Sequence, residues 1–223
     1  MLKYVKRESV EFLLLLDMPG IEYGALKDFV SRHMRFSVRT FKELSKMAAS
    51  KLPSERIYAI GTGGEEVMRY FPSRSFDTIP LQRLWKNELN DYYSDLPCLN
   101  ITSPCCFVDD VVGSGKTLWF VKENISEQHA AAFCLIYNNN PSQYKDKNGI
   151  LGYKETIASV IVDGIRGEPY WFPAIYSVRH LLEKPKKNPN YISNMAKRYF
   201  AGDTEGLARV VSLISQSGEY LNE

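Results

Sequence analysis

A chain of 223 residues with 44% hydrophobic content can bury one substantial core, so we expect one α/β domain with helical extensions. Its 28 Lys and Arg against 26 Asp and Glu leave a formal net charge of +2, which does not indicate nucleic acid as a partner. The longest early apolar run, Phe12 to Leu16, is followed by Asp17 and is far shorter than the roughly 20 residues of a membrane-spanning helix. It also lacks the pattern of a signal peptide. These features predict a cytoplasmic protein with no membrane partner.

Residues 1–52 have the pattern of helices. Pro19-Gly20 ends a first apolar helix, and apolar residues at helical spacing predict two more, one around Leu26, Phe29 and Val30 and one around Val38, Phe41, Leu44 and Met47. After Pro53 the pattern changes to a strand, a tight loop and a helix, over Arg56 to Ile60, Gly61 to Gly64 and Glu65 to Phe71. This order is the opening of a βαβ unit, so a parallel sheet is predicted.

Further strands are predicted at Ile79 to Leu84, Cys105 to Val108, Ala131 to Tyr137 and Ile157 to Val162, with a loop over Trp85 to Ser103 and a helix over Leu118 to Glu127. Lys184 to Asn190 has the composition of a linker, and two helices follow around Ile192 to Phe200 and Leu207 to Ile214. We therefore divide the chain into an N-terminal helical extension, 1–55, an α/β core, 56–183, and a C-terminal helical extension, 184–223. The four cysteines show no metal-binding spacing and are expected to be free thiols, three of them on buried strands.

Two adjacent carboxylates, Asp109 and Asp110, stand between the apolar strand that begins at Cys105 and a small-residue loop that opens a helix. Carboxylates accept hydrogen bonds from hydroxyl groups, and the loop amides and the positive end of the helix bind an anion. This pattern predicts a sugar phosphate as the ligand.

The Gly115-Lys116-Thr117 ending of the loop also invites a comparison with the P-loop of NTPases. A P-loop requires a glycine at the position that Asp110 occupies here, where a carboxylate would face the phosphates. A P-loop NTPase is therefore the less favoured alternative.

Cys105 to Thr117 resembles the phosphoribosyl-diphosphate (PRPP) motif of type I phosphoribosyltransferases, whose fold is a Rossmann-like parallel sheet. The resemblance implies that Asp109 and Asp110 are the catalytic acids that bind the ribose hydroxyls. It implies that the 5-phosphate lies in a loop formed by Val112, Gly113, Ser114, Gly115, Lys116 and Thr117. Gly61, Thr62, Gly63 and Gly64 follow the first core strand, where the family has its diphosphate loop, although such a segment is also an ordinary βα turn. Mg²⁺ is implied as a cofactor bound through the ligand, with no direct protein ligand.

The remaining family features are matched loosely or not at all. Trp171-Phe172-Pro173 resembles the aromatic hood over the base, and a plain core cluster explains it equally well. Thr62 replaces a frequent Lys or Arg, and Glu65 and Glu66 follow it, so Arg74, Arg83 or Lys86 is expected to supply the positive charge from a mobile loop. Gly113 replaces the Asp that serves as proton acceptor in members using hypoxanthine or guanine.

Two functions follow from this pattern. The first is a phosphoribosyl-transferring or nucleotide-cleaving enzyme that binds PRPP or a nucleotide. The second is a non-catalytic nucleotide-sensing effector of the kind encoded in bacterial anti-phage systems, including retrons. In either case the helical ends are the expected contacts for a homodimer or another protein partner.

Overall fold

The computed structural model of the chain describes residues 1–10, 12–16, 21, 23–81, 83–87, 90–93, 101, 104–125, 129–140, 142–163 and 174–219. The chain forms two compact units. The first contains Met1–Ser9 and Phe41–Tyr170, and the second contains Val10–Thr40 and Trp171–Glu223. Within the described residues, no helix is long and apolar enough to cross a membrane.

Both units contain β-strands. In chain order they are β1 Leu2–Ser9, β2 Phe12–Leu16, β3 Phe36–Thr40, β4 Arg56–Ile60, β5 Phe76–Ile79, β6 Arg83–Asn87, β7 Asn90–Tyr93, β8 Cys105–Val112, β9 Ala131–Asn138, β10 Lys145–Asp146, β11 Gly149–Ile150, β12 Glu155–Asp163 and β13 Ala174–Ser177. The α-helices are α1 Gly24–Ser31, α2 Phe41–Ala48, α3 Gly61–Met68, α4 Lys116–Glu123, α5 Val178–Lys187, α6 Tyr191–Tyr199 and α7 Thr204–Glu219.

The first unit is built on a six-stranded sheet in the order β1-β12-β9-β8-β4-β5, and every neighbouring pair in it is parallel. Its central strands β8, β9 and β12 are mostly apolar and largely buried, as strands covered on both faces should be. The predicted α/β class with a Rossmann-like parallel sheet is therefore confirmed. Because all six strands run in the same direction, their carboxyl ends lie along one edge.

Aromatic side chains and one buried hydroxyl fasten helices and strands of this unit together. Phe107 on β8 stacks on Tyr58 of β4, with ring centroids 5.6 Å apart. The Ser159 hydroxyl on β12 is fully buried and donates a 2.9 Å hydrogen bond to the carbonyl oxygen of Leu44 in α2. The cysteines at 105, 106 and 134 are buried free thiols, as expected, and Cys98 lies outside the described residues.

In the N-terminal segment, the first and the third of the predicted helices are wrong in whole or in part. Phe12–Leu16 is a strand, and Leu2–Ser9 before it is a strand as well. A five-residue apolar run buried on all sides has no period that separates helix from strand, and pairing with β3 and β13 decides in favour of the strand. Val38 lies in β3, so the third predicted helix begins only at Phe41. The helix around Leu26, Phe29 and Val30 is confirmed.

The second unit has a sheet of its own, with the parallel order β13-β2-β3. Its core includes Phe12, Phe29 and Phe200, and the Phe29 and Phe200 ring centroids are 5.0 Å apart. Both predicted C-terminal helices are present as α6 and α7. The predicted linker from Lys184 is wrong over its first half, because α5 continues through Pro185 to Lys187.

Other element boundaries also differ from the sequence prediction. The strand predicted at Ile79 to Leu84 is split into the end of β5 and the start of β6, and β6 and β7 form an antiparallel pair within the predicted loop. The division of the chain at residues 55 and 183 stays a prediction.

The start of α3 packs so tightly on β8 that position 64 requires glycine. A Cβ on Gly64 would overlap the carbonyl oxygen of Val108 and lie 3.0 and 3.1 Å from backbone atoms of Ala59. We expect Gly64→Ala to lower the free energy of unfolding by about 1–3 kcal/mol, because neither backbone can give way without disturbing the sheet. The matched control is Gly113→Ala, where no described atom lies within 4 Å of a Cβ. Urea unfolding of both variants measures the difference, and equal losses would contradict the packing argument.

Candidate functional site

The acid pair, Asp109 and Asp110, lies at the carboxyl edge of the six-stranded sheet. Strand β8 runs on to Val112, so the pair lies within the strand and not after it as predicted. Both residues are half-buried, and each carboxylate accepts a hydrogen bond from the next backbone amide, Asp110 N to Asp109 Oδ1 at 2.9 Å and Val111 N to Asp110 Oδ1 at 2.7 Å. These local bonds fix the orientation of one oxygen of each carboxylate.

The diphosphate segment, Gly61–Gly64, lies directly against the acid pair. A Cβ on Gly63 would be 2.6 Å from Asp110 Oδ1 and 3.2 Å from Asp109 Oδ1. The segment is the first turn of α3, not the predicted loop before a helix. Its glycines permit this approach, and the unpaired amides of a helix start are brought beside the two carboxylates.

The phosphate loop, Gly113–Thr117, connects β8 to α4, which begins at Lys116. Gly115 has a φ of +86° and is the residue before the helix, a conformation that favours glycine. The Ser114 hydroxyl accepts a 3.3 Å hydrogen bond from the Lys116 amide. Helix α4 is held to the sheet region by the Tyr153 hydroxyl, which donates to the Leu118 carbonyl at 2.7 Å. The strand, loop and helix order predicted for the motif is confirmed.

Lys145 is part of this site, and sequence reasoning missed it. Its side chain is buried, with 8% exposure, and its Nζ donates 2.6 Å hydrogen bonds to the carbonyl oxygens of Gly113 and Asn138. Burial lowers the pKa of Lys145 to about 8. The residue belongs to a short hairpin, β10 and β11, that is inserted between β9 and β12. No motif or spacing marks it, and only the three-dimensional contact with Gly113 connects it to the phosphate loop.

A second polar cluster lies at the carboxyl edge of the same sheet. The Arg7 guanidinium and the Asn139 amide both donate to the Asp163 carboxylate, at 2.9 Å from Nη2 and 2.6 Å from Nδ2. Burial of Asp163 raises its pKa, but the hydrogen bonds from Arg7 and Asn139 outweigh burial and hold the pKa below its usual value. The ends of β1, β9 and β12 are thus polar, like the end of β8.

Arg74 does not supply the positive charge that the sequence predicts beside Gly61–Gly64. Its guanidinium donates to the Pro53 carbonyl, and it lines a shallow cavity of about 460 Å³ with Arg56 and Asp77 at the amino end of β4 and β5. This cavity is at the opposite edge of the sheet from the acid pair. Arg83 and Lys86 lie on β6, where only their backbone is described, and Trp171, Phe172 and Pro173 lie outside the described residues.

The negative charges of Asp109 and Asp110 act on a cysteine of the neighbouring strand, β9. Asp109 is paired in register with Cys134, which is fully buried. Burial, with the charges of Asp109 and Asp110, raises the pKa of the Cys134 thiol, so this thiol stays protonated.

Within the described residues, no group of three or more His, Cys, Asp and Glu side chains could hold a metal ion. Asp109 and Asp110 have the hard oxygen chemistry that Mg²⁺ prefers, so their neighbourhood suits an ion held by the oxygens of a phosphate ligand.

Comparisons with known proteins give distant structural likenesses. No protein-family model matches the chain, and no curated protein matches it. Among solved structures, the chain is similar to a hypothetical protein from Neisseria gonorrhoeae with bound ppGpp, at 14% identity and a TM-score of 0.41, covering 78% of this chain and 94% of that one. It is similar to a purine phosphoribosyltransferase from Pyrococcus horikoshii Ot3, at 15% identity and a TM-score of 0.32, covering 67% and 92%.

A hypoxanthine-guanine phosphoribosyltransferase from Bacillus anthracis is a further structural neighbour, at 16% identity and a TM-score of 0.35, covering 62% of this chain and 79% of that one. Since all three TM-scores are below 0.5, the description of fold and site rests on the topology and contacts of this chain alone.

The low pKa of Lys145 predicts a pH dependence of stability. The folded-state pKa of about 8 lies below the ordinary value of 10.5, so the unfolded chain binds more protons between these two values. Stability from this residue therefore increases as pH rises through that range, by at most about 1.4 kcal/mol per pH unit. Relative to Lys145→Met, the wild type should gain stability from pH 8 to pH 10 in chemical unfolding experiments. Lys147→Met, which removes an exposed lysine of the same hairpin, is the control and should follow the wild type.

Proposed function

We propose that this chain is a phosphoribosyltransferase-like protein that binds PRPP or a nucleotide through the ribose 5-phosphate, and that it transfers the phosphoribosyl group or cleaves a nucleotide with the help of Mg²⁺. The observation that carries the proposal is the approach of Gly63 to Asp110, at 2.6 Å for a Cβ placed on the glycine. It puts the diphosphate segment and the acid pair side by side, with the phosphate loop following on the same strand. A ribose with phosphates at both C1 and C5 needs three such elements.

The acid pair is suited to the ribose hydroxyls. One oxygen of each carboxylate already accepts a backbone amide, which leaves further lone pairs to accept the 2- and 3-hydroxyls. Two fixed negative charges beside C1 would also stabilise the positive charge that develops on the sugar as the bond to the leaving group breaks. Asp109 and Asp110 would thus both orient the ribose and favour an oxocarbenium-like transition state.

The two helix starts are suited to the two phosphate groups. The amides of the phosphate loop and the start of α4 would bind the 5-phosphate, and the start of α3 would face the leaving diphosphate. Glu65 and Glu66 follow that first turn, and Glu66 is paired with Arg69 at 3.1 Å. Mg²⁺ would be held by oxygens of the ligand beside Asp109 and Asp110, and it would neutralise part of the diphosphate charge.

Replacing the acid pair tests the proposal. We expect Asp109→Asn with Asp110→Asn to weaken PRPP or nucleoside-monophosphate binding by at least about 100-fold, since two charge-assisted hydroxyl contacts are lost. Calorimetry with and without Mg²⁺ measures the affinity, and circular dichroism checks that the fold persists. Asp77→Asn is the matched control, because that carboxylate lies at the opposite edge of the sheet and pairs with Arg56. Unchanged affinity in the double variant would refute the assignment of the ribose site.

The same experiment separates the enzyme from the alternative, a nucleotide-sensing effector of the anti-phage type. That alternative is favoured by the exposed Thr62 in place of a cation and by the two glutamates that follow it. Release of diphosphate or of a free base, lost in the Asp109→Asn, Asp110→Asn variant, supports the enzyme. Tight binding without turnover of PRPP or nucleotides supports the effector, and loss of phage protection in the double variant would then connect binding to defence.

A substitution at Lys116 distinguishes the enzyme and the nucleotide-sensing effector from a P-loop NTPase. We expect Lys116→Ala to weaken ribose 5-phosphate binding by less than about tenfold, because backbone amides provide most of the contacts in a phosphate loop of this kind. Calorimetric titration with PRPP, AMP and ATP gives the ranking of ligands. A complete loss of binding, with ATP as the preferred ligand of the wild type, would instead revive the P-loop assignment.

A further inference from the structure

The underside of the phosphate loop is held by a hairpin that runs from Ser142 to Ile150, which we call the anchoring hairpin. The Ser142 hydroxyl donates a 2.5 Å hydrogen bond to the carbonyl oxygen of Ser114, and Lys145 Nζ donates to that of Gly113 at 2.6 Å. The next carbonyl, that of Gly115, accepts the Trp119 amide at 3.0 Å inside α4. All three carbonyls of the loop turn are therefore occupied by donors of the protein.

These contacts determine where the loop amides point. In a planar trans peptide, the N–H and the C=O of one unit point in opposite directions. The Gly113 carbonyl points toward Lys145, so the Ser114 amide points away from the hairpin, and the Ser114 carbonyl on Ser142 turns the Gly115 amide in the same way. Two consecutive amides that face away from the hairpin can form the concave donor group that binds an anion. Lys145 and Ser142 are thus the donors that orient this group.

The aliphatic part of the Lys145 side chain packs directly against the phosphate loop. A Cβ on Gly115 would lie 2.9 Å from Lys145 Cγ and 3.2 Å from Cδ, so the stem covers this glycine directly. The ammonium group lies 5.0 Å from the centroid of the Tyr137 ring. A shift of the lysine would therefore move the loop with it.

The charge of Lys145 is not neutralised by a neighbouring acid. Within the described residues, no carboxylate oxygen is in salt-bridge contact with its Nζ, whose hydrogen bonds go to the carbonyls of Gly113 and Asn138. A buried cation paired only with carbonyl dipoles keeps most of its field, and that field acts on whatever occupies the far side of the loop.

We propose that Lys145, together with Ser142, is the positioning residue of the phosphate loop, and that its buried positive charge makes the loop select a dianionic sugar phosphate. This inference rests on the proposed function and adds to it the residue that prepares the 5-phosphate site. The lysine acts through the loop, from the side opposite the ligand, and is not a contact residue of the phosphate.

The inference has a pH signature that a purely structural role would lack. In the protein without ligand, burial lowers the pKa of Lys145 to about 8, and a bound dianion stabilises the charged form of this lysine. A phosphate monoester is already dianionic above pH 7, because its second pKa is about 6, so its own titration does not contribute. The titratable or charged neighbours of Lys145 are Cys134, Tyr137, Tyr144 and Asp146, and the charges of Asp109 and Asp110 act on the same Cys134 thiol as Lys145 does. Burial raises the pKa values of Cys134 and Tyr137, so both stay neutral up to pH 9.5.

The experiment measures binding of ribose 5-phosphate and of inorganic phosphate to the full chain by calorimetry, from pH 7 to pH 9.5. For the wild type we expect the affinity for ribose 5-phosphate to fall about tenfold over that range, as linkage to a group that deprotonates near pH 8 requires. Inorganic phosphate itself gains charge near neutral pH, so its affinity is compared between variants at the same pH. Lys145→Met should bind both ligands about tenfold or more weakly at pH 7 and should lose this pH dependence. Ser142→Ala should weaken binding at every pH and keep the pH dependence.

Control variants distinguish a failure of the proposed function from a failure of the role assigned to Lys145. Lys147→Met should behave as the wild type, and Tyr144→Phe should retain the pH dependence, which excludes that phenol as its source. Asp109→Asn with Asp110→Asn should lose ribose 5-phosphate but retain inorganic phosphate. If the wild type binds neither ligand, the proposed function itself is wrong. If it binds ribose 5-phosphate with an affinity that is constant across this pH range, or if Lys145→Met binds ribose 5-phosphate with the affinity and pH dependence of the wild type, the role of Lys145 is overturned. The wild-type pH series decides the matter even where Lys145→Met does not fold.

Discussion

The architecture of the site depends on one close approach, that of the first turn of α3 to strand β8. Without side chains at Gly63 and Gly64, the helix start can lie against the Val108 carbonyl and the Asp110 carboxylate, and any Cβ there would force the two elements apart. The approach also has an electrostatic reason, because the positive end of a helix is stabilised by adjacent carboxylates. The glycines therefore do two things at once: they pack the helix on the sheet and they put unpaired amides beside two acids.

The sequence predicted the parts of this arrangement that depend on local pattern. Central strands buried on both faces are continuous apolar runs, so β8, β9 and β12 could be read directly, and the acid pair followed by small residues predicted the turn into α4. The Phe12–Leu16 strand could not be distinguished from a helix, because a short run of leucines has no informative period and its partners β3 and β13 are distant in sequence. Lys145 could not be found at all. Its importance lies in a contact with the Gly113 carbonyl, across 32 residues of chain.

The distribution of positive charge differs from that expected of a site with a lysine or arginine at position 62. Arg74 is committed to the opposite edge of the sheet by its bond to the Pro53 carbonyl. The buried cation of the described site is Lys145, which lies under the phosphate loop and not beside the diphosphate segment. Under the proposed function, attraction would be concentrated on the 5-phosphate, whereas the diphosphate would meet helix amides, two glutamates and the charge of a metal ion bound with it. An anion with a single terminal phosphate suits this distribution better than a bare diphosphate does.

The two sides of the phosphate loop differ in a way that separates sugar recognition from acceptor recognition. Its underside is filled, with the Lys145 stem against Gly115 and the Ser142 hydroxyl on the Ser114 carbonyl. At Gly113, among the described residues, no atom lies within 4 Å of where a Cβ would stand, and the position is exposed. Space for a carboxylate therefore exists at Gly113, and its absence there is not imposed by packing. Under the proposed function, a site that keeps the acid pair and an anchored phosphate loop, yet leaves this position bare, would hold a ribose phosphate without the proton acceptor that a purine acceptor would need.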